Sequence, residues 1–479
     1  MAGRIPRQSI VALAAAILLA LLATGADQPL TPDQRVAMNH ISSDSLRGNL
    51  SFLASDLLEG RATPSRGLDL AAEYLAAQFR RAGLEPAGDD GYFQTATVTV
   101  REPNREGFSM TITTGGRTMT VAADEAYVLP AAPLRLDDAE LVIADGSQPL
   151  TAEAVNGKAI LITTQRIRFP QGTRPAVVLT LGRAFPPGPQ FVAPDSPVQA
   201  ITTGLVIKPD LADFVRGAAD VRITIHSAAA STRAMKARNV AAILRGSDPQ
   251  LRDTYVMLSA HYDHLGTAAT GDDRIYNGAN DDGSGTTSVI EVANALAAMP
   301  VHSKRSVLFV LFFGEEQGLW GSHYYAAHPL VPPTQTIAQL NLEQVGRTDA
   351  SDGPQIRTAS ITGYDFSELP GILADAAQAA GVRVYKNPQN SDAYFGRSDN
   401  QSLADLGIPA HTLCVAYDFA DYHKVTDSWE KIDYDNMAMV DRAVALGMLR
   451  LASDAAPPRW NEQYAPARRY VDAARRLHP

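Results

Sequence analysis

The chain has one cysteine, Cys414, in 479 residues. No intrachain disulfide can form, so stability has to come from a buried core. There is no run of Lys and Arg, and the formal net charge is −10. Such a chain lacks the basic stripe of a nucleic-acid binder, and no nucleic-acid partner is expected. Internal repeats and low-complexity tracts are also missing. The N-terminal apolar run, Ile10 to Leu22, is shorter than the about 20 residues that a helix needs to cross a bilayer.

That run has another reading. Arg4 and Arg7 precede it, and the small residues Ala23, Thr24, Gly25 and Ala26 follow. This is the layout of a signal peptide over 1–26, cut after Thr24-Gly25-Ala26. The expectation is an exported protein, periplasmic or extracellular, with no stable membrane insertion after cleavage. An uncleaved N-terminal anchor is the alternative. No Cys ends the run, which argues against a lipid anchor.

With 45% apolar residues the chain can build an ample core, and it is too long for one simple domain. Ser42 or Asp44 can cap a helix through Leu57, and a second helix is predicted over 68–82, stopped by Gly83. From about Phe93 to residue 230, short alternating runs interrupted by prolines read as strands. From Ala237 strands and helices alternate, the mark of an α/β sheet. Strands are predicted at 255–259, 306–313, 337–342 and 408–415, and helices at 284–298 and 434–451. A basic amphipathic helix is expected within 464–477.

The polar clusters follow those strands, where open α/β sheets gather their ligands. His261 and Asp263 follow the first strand, and Asp281 precedes the helix at 284. Glu315 and Glu316 follow the second strand, Glu343 ends the third, and His423 comes after the fourth. Imidazole and carboxylate without thiolate suit a catalytic rather than a structural zinc site. Two ions close together need a bridging carboxylate. The Glu315-Glu316 pair allows one carboxylate on the metal and one free to move a proton. Asp263, two residues after His261, can fix the imidazole tautomer. Asp282 reads as a helix cap rather than a ligand, Asp399 as a cap of the helix 400–406 or a support of the site from its loop, and Tyr422 as either core or an oxyanion donor. Cys414 reads as a buried small hydrophobe rather than a nucleophile, and His411 as a surface or core residue. His264 reads as facing away from His261.

The segments His261-Tyr-Asp-His264, Gly278-Ala-Asn-Asp-Asp-Gly-Ser-Gly285, Gly314-Glu-Glu-Gln-Gly318 and Asp421-Tyr-His423 with a following Asp resemble the M28 zinc peptidases. Leu58-Glu-Gly-Arg61 and Gly396-Arg-Ser-Asp-Asn400 are similar to that family too. The resemblance implies a zinc exopeptidase fold, a mixed and mostly parallel sheet flanked by helices. It implies a β-rich protease-associated insert at 117–232, between peptidase parts at 27–116 and 233–456, with a tail at 457–479. It implies two Zn²⁺ per chain, one held by His261, Asp281 and Glu343 and the other by Asp281, Glu316 and His423. Asp281 would bridge, Glu315 would be general base and acid, and Asp263 would orient His261.

One position departs from the pattern. Asn341-Leu342-Glu343 carries Glu where the family pattern leads to Asp. Glu reaches one methylene further, so the distance to the metal or the backbone has to adjust. The expected activity is an aminopeptidase acting on peptides. A one-metal glutaminyl cyclase, a carboxypeptidase and a non-catalytic interaction protein of this fold are the rivals. Side-chain specificity and oligomeric state are not legible in the sequence.

Overall fold

The structure is a computed structural model, describing residues 30–479 except 165–166, 185–187, 197–200, 352 and 454–455. The signal-peptide segment expected at 1–26 lies outside the described residues. Among those described, no helix is long and apolar enough to cross a membrane. The chain divides into two compact units, one of 1–95 with 238–479 and one of 96–237.

The first unit is built on a mixed sheet. Its strands are β1 (Ser231–Leu244), β2 (Tyr255–His261), β3 (Ser306–Phe312), β4 (Thr336–Glu343), β5 (Thr358–Ile361), β6 (Arg383–Tyr385) and β7 (Ala410–Cys414). Their spatial order is β6-β5-β7-β4-β2-β3-β1. The four central strands, β7, β4, β2 and β3, are mutually parallel. Strands β1 and β5 run antiparallel to β3 and β7. Every residue of β2 and β3 is buried, as expected of parallel strands covered on both faces. Because the four central strands point the same way, their carboxyl ends open on one edge. That edge receives His261, the Gly314–Gly318 turn, Glu343 and the segment leading to His423.

Helices cover the sheet. Helix α1 (Ser43–Leu53) starts where Ser42 accepts the amide of Ser45, and it buries Leu46, Leu50 and Leu53. It stops at Leu53 rather than reaching Leu57. Ser55 takes an extended ψ of 153°, which breaks helical geometry ahead of the short turn Asp56–Arg61, where Leu57 is exposed. Helix α2 (Arg66–Arg81) is capped by Ser65 and buries Leu68, Ala71, Leu75 and Phe79. Helices α3 (Gly285–Ala297) and α4 (Tyr434–Ser453) bury most of their length. The tail forms α5 (Arg468–Leu477), whose Tyr470 and Val471 join a core cluster with Phe395, Leu403 and Trp460. Its arginines stay on the outer face, where Arg469 pairs with Asp405 and Arg475 with Glu462.

The second unit carries its own eight-stranded sheet and core, with Ile112, Leu161, Leu179 and Ile223 among the buried residues. It is wider than the 117–232 expected. Strand Ser109–Thr114 pairs with Arg222–Ser227, which in turn pairs with Leu134–Ala144. That ladder joins residues more than a hundred apart and so draws 96–116 into this unit. The unit boundaries fall inside Phe93–Glu102 and β1.

Candidate metal centre

Strand β2 runs on through His261, so the imidazole projects from the strand's last residue. The carbonyl of His261 accepts the Thr286 hydroxyl at 2.7 Å, tying the strand end to α3. Asp281 lies in the turn before α3. Asp427 holds that turn, its carboxylate accepting the amides of Asn280 and Asp281 at 3.0–3.1 Å. Gly278 opens the turn at φ 57°, and a Cβ there would meet the His264 ring at 2.5 Å. Glu315 and Glu316 sit on a tight turn after β3. Gly314 enters it at φ 69°, and its carbonyl accepts the amide of Trp320. Glu343 is the last residue of β4. His423 takes φ 54° and stacks on Tyr422 with centroids 3.9 Å apart.

The fold brings the predicted residues together. Asp281 Oδ1 lies 3.4 Å from His261 Nε2, and Asp281 Oδ2 lies 3.1 Å from His423 Nε2. Glu343 Oε2 is 3.6 Å from His261 Nε2, and Glu316 Oε2 is 3.4 Å from His423 Nε2. Two donors on one tetrahedral zinc, each at about 2.0–2.1 Å, stand about 3.3 Å apart. The donor set therefore fits a pair of zinc ions, with one carboxylate oxygen of Asp281 turned to each side. His261, Asp281 and Glu343 form one group close enough to hold an ion, and His264, Asp281 and Glu316 form another.

Electrostatics agree with that fit. His423 is pushed up to about 10 by Asp281 and Glu316. Burial disfavours a charge on His261, yet Glu343, Asp263 and Asp281 still hold its pKa well above the ordinary value. Burial pushes Asp281 up, but His261 and His423 hold it below the carboxylate range. Burial drives Glu315 well above the carboxylate range, and Glu343, Asp399 and Glu316 add to this. Clustered carboxylates buried this deeply draw positive charge, and divalent cations can supply it in place of protons.

Asp263 stands behind His261, Oδ1 to Nδ1 at 3.4 Å. It also accepts the amide of Glu315 at 3.1 Å and the Thr63 hydroxyl at 3.2 Å, linking β2 to the Glu315 turn. Asp282 does cap α3, accepting the amide of Gly285 at 3.0 Å. It also accepts the amide of Gln344 at 3.0 Å, so it ties the Asp281 turn to the residue after Glu343.

Two expectations change. His264 does not face away from the site. It is fully buried, with Nδ1 2.7 Å from Glu316 Oε1, because β2 ends at His261 and strand alternation no longer applies beyond it. Asp399 precedes the helix Asn400–Leu406 but makes no capping bond. Its carboxyl is buried and pushed up to about 7 by that burial. Glu343 is braced for its extra length, since the Ser398 hydroxyl donates to Oε1 while Asn341 donates to Ser398 at 2.8 Å.

Sequence reasoning also missed Asp427 and Ser398, although both lie in or beside segments that carry the resemblance. His411 is core, its Nδ1–H donating to the carbonyl of Thr362 at 2.8 Å. Cys414 is buried. A cavity of about 270 Å³ opens beside the cluster, lined by Glu315, Glu343, Tyr394, Tyr417, Tyr422 and Thr412 among others.

Comparison with known proteins agrees with this geometry. The family model of Peptidase family M28 matches residues 239–448. The "Probable lipoprotein aminopeptidase LpqL" of Mycobacterium tuberculosis is 24% identical over 93% of this chain and 94% of its own length. The "probable leucine aminopeptidase 2" of Aspergillus oryzae is 26% identical, but the match covers 45% of either chain. Among solved structures, the aminopeptidase from Aneurinibacillus sp. strain AM-1 superposes with a TM-score of 0.55 at 20% identity. That match covers 88% of this chain and 97% of the other. The zinc aminopeptidase of Bacillus subtilis gives 0.52 at 19% identity, covering 86% and 96%. These likenesses establish a shared α/β fold. The segment that matches the M28 family model, residues 239–448, holds every residue of the cluster.

Proposed function

We propose that the protein is a zinc-dependent aminopeptidase that removes N-terminal residues from peptides. The observation that carries this reading is Asp281, whose two carboxylate oxygens face two separate donor sets at 3.4 and 3.1 Å. In this reading His261 and Glu343 complete one zinc site, and Glu316 and His423 the other. Two zinc ions, when bound, lower the pKa of water and polarise the scissile carbonyl.

The chain's own residues do the rest. Glu315 is left out of both donor sets and lines the cavity, with Oε2 4.0 Å from His261 Nε2. It takes the proton of the attacking water and hands it to the leaving amine. Burial raises its proton affinity, which suits the second half of that cycle. Asp263 keeps His261 oriented and fixes the Glu315 amide. Tyr422 lines the same cavity, and burial holds its hydroxyl pKa well above the ordinary value, so it stays a donor for the developing oxyanion. The cavity of about 270 Å³ receives the substrate's first side chain.

The same reading takes the 96–237 unit as the protease-associated insert, on the strand Ala159–Ile162 that follows Asn156-Gly157-Lys158. It takes the leader, with Arg4, Arg7 and the run from Ile10, as an export signal.

The test measures zinc per chain together with hydrolysis of free-amine, blocked-amine and N-terminal-Gln peptides. Two zinc ions and turnover of free-amine peptides alone are expected. Cleavage of blocked-amine peptides would make it a carboxypeptidase. Cyclisation of N-terminal Gln would make it a cyclase.

A further inference from the structure

Arg61 is a guanidinium sealed inside the first unit, 1% exposed. Among the described residues it pairs with no carboxylate directly, and it spends its donors on main-chain carbonyls. Nε donates to Tyr262 O at 2.8 Å, and Nη2 donates to Gly278 O at 2.9 Å. Nη1 donates to Asn277 O at 2.8 Å and also to Leu53 O. Its own carbonyl accepts the amide of His264 at 3.2 Å. Tyr262 lies between His261 and Asp263, and Gly278 opens the turn that carries Asp281. One side chain therefore grips both segments that deliver these residues, and anchors them to the end of α1. Asn277 reinforces the anchor through Ala54 O at 3.0 Å and Asp56 at 2.9 Å.

We propose that Arg61 is a positioning residue of the metal centre, setting the spacing between the His261 segment and the Asp281 turn. This inference rests on reading the cluster as a zinc site. A planar fork with five donors can satisfy several carbonyls at fixed angles, whereas an ammonium is a single point. Burial lowers the Arg61 pKa to about 10, so the group stays charged at neutral pH and also offsets Asp263, Asp427, Asp282 and Asp281. Charge and geometry are thus separable: Lys keeps the first and loses the second.

The test compares wild type, Arg61→Lys and Arg61→Gln by chelator competition for zinc and by thermal unfolding with and without zinc. A positioning role predicts roughly 10–100-fold weaker zinc binding in Arg61→Lys, the range that supporting partners of a metal site command. It also predicts that zinc raises Tm less in Arg61→Lys than in wild type. A merely structural role lowers both melting temperatures equally and leaves the zinc-induced rise unchanged, which overturns the proposal. If neither variant folds with or without zinc, Arg61 serves the fold and the proposal falls as well. Wild type that binds no zinc would instead sink the reading of the site itself.

Discussion

The Ser398 hydroxyl donates to Glu343 Oε1, which leaves Oε2 aimed at His261 Nε2, 3.6 Å away. The longer arm of Glu343 is thereby folded into a defined pose. Ser398→Ala should free that carboxylate and weaken zinc on the His261 side by roughly 10–100-fold. Zinc titration would show one site loosened and the other kept. Equal loss at both sites would argue that Ser398 supports the whole cluster.

Glu315→Gln removes the proton carrier without removing a donor from either proposed zinc site. kcat should fall by about 10²–10⁴-fold, the range of general acid–base catalysis, with zinc content unchanged. Steady-state kinetics and metal analysis on the same preparation decide it. Near-normal turnover with zinc bound would mean that another group moves the proton.

Asp427 accepts two amides of the Asp281 turn. Asp427→Ala leaves both buried N–H groups unpaired, at about 1–3 kcal/mol each. Stability should drop by that amount, and zinc should bind more weakly because Asp281 loses its frame. Asp427→Asn retains one acceptor oxygen and should recover part of both effects. Denaturant melts with and without zinc would measure them.

Stripping zinc should lower Tm and abolish turnover, and zinc should restore both. Ligand linkage sets the scale, with about 2.7 kcal/mol of stabilisation when free zinc is 100 times its Kd. A Tm indifferent to zinc would contradict a site buried this deeply.

His411 predicts an acid-side loss of stability unrelated to the metal. Nδ1–H donates to Thr362 O, so Nε2 accepts the Ser367 hydroxyl at 2.6 Å, and the ring is neutral. Burial lowers its pKa to about 4. The unfolded chain takes up this proton near pH 6.5, and the folded one does not until about pH 4. Stability is therefore fully present above about pH 6.5 and falls as the pH drops towards 4, by up to roughly 3 kcal/mol. His411→Gln should flatten that part of the stability–pH curve, whatever its baseline stability.

Much of this molecule is legible before folding. The strand–helix alternation after Ala237 follows from hydrophobic periodicity. The residues after each predicted strand have the chemistry of zinc ligands because parallel strands share one carboxyl edge. Their types alone exclude a thiolate site. The end of α1 at Leu53 was not legible, because Leu57 continues the helical spacing and only the extended backbone of Ser55 breaks it. The reach of the second unit back to Ala96 was hidden too, since it depends on a ladder between Ser109–Thr114 and Arg222–Ser227.

The sequence by itself determined the reaction chemistry on offer, because residue type sets ligand hardness, proton affinity and charge. Tertiary structure alone decided which atoms meet. It turned one oxygen of Asp281 to His261 and the other to His423. It also brought His264 against Glu316 and put Arg61 beneath both ligand-bearing segments. Spacing along a chain fixes local direction, but distances of 3 Å between segments a hundred residues apart come only from packing the elements that carry them.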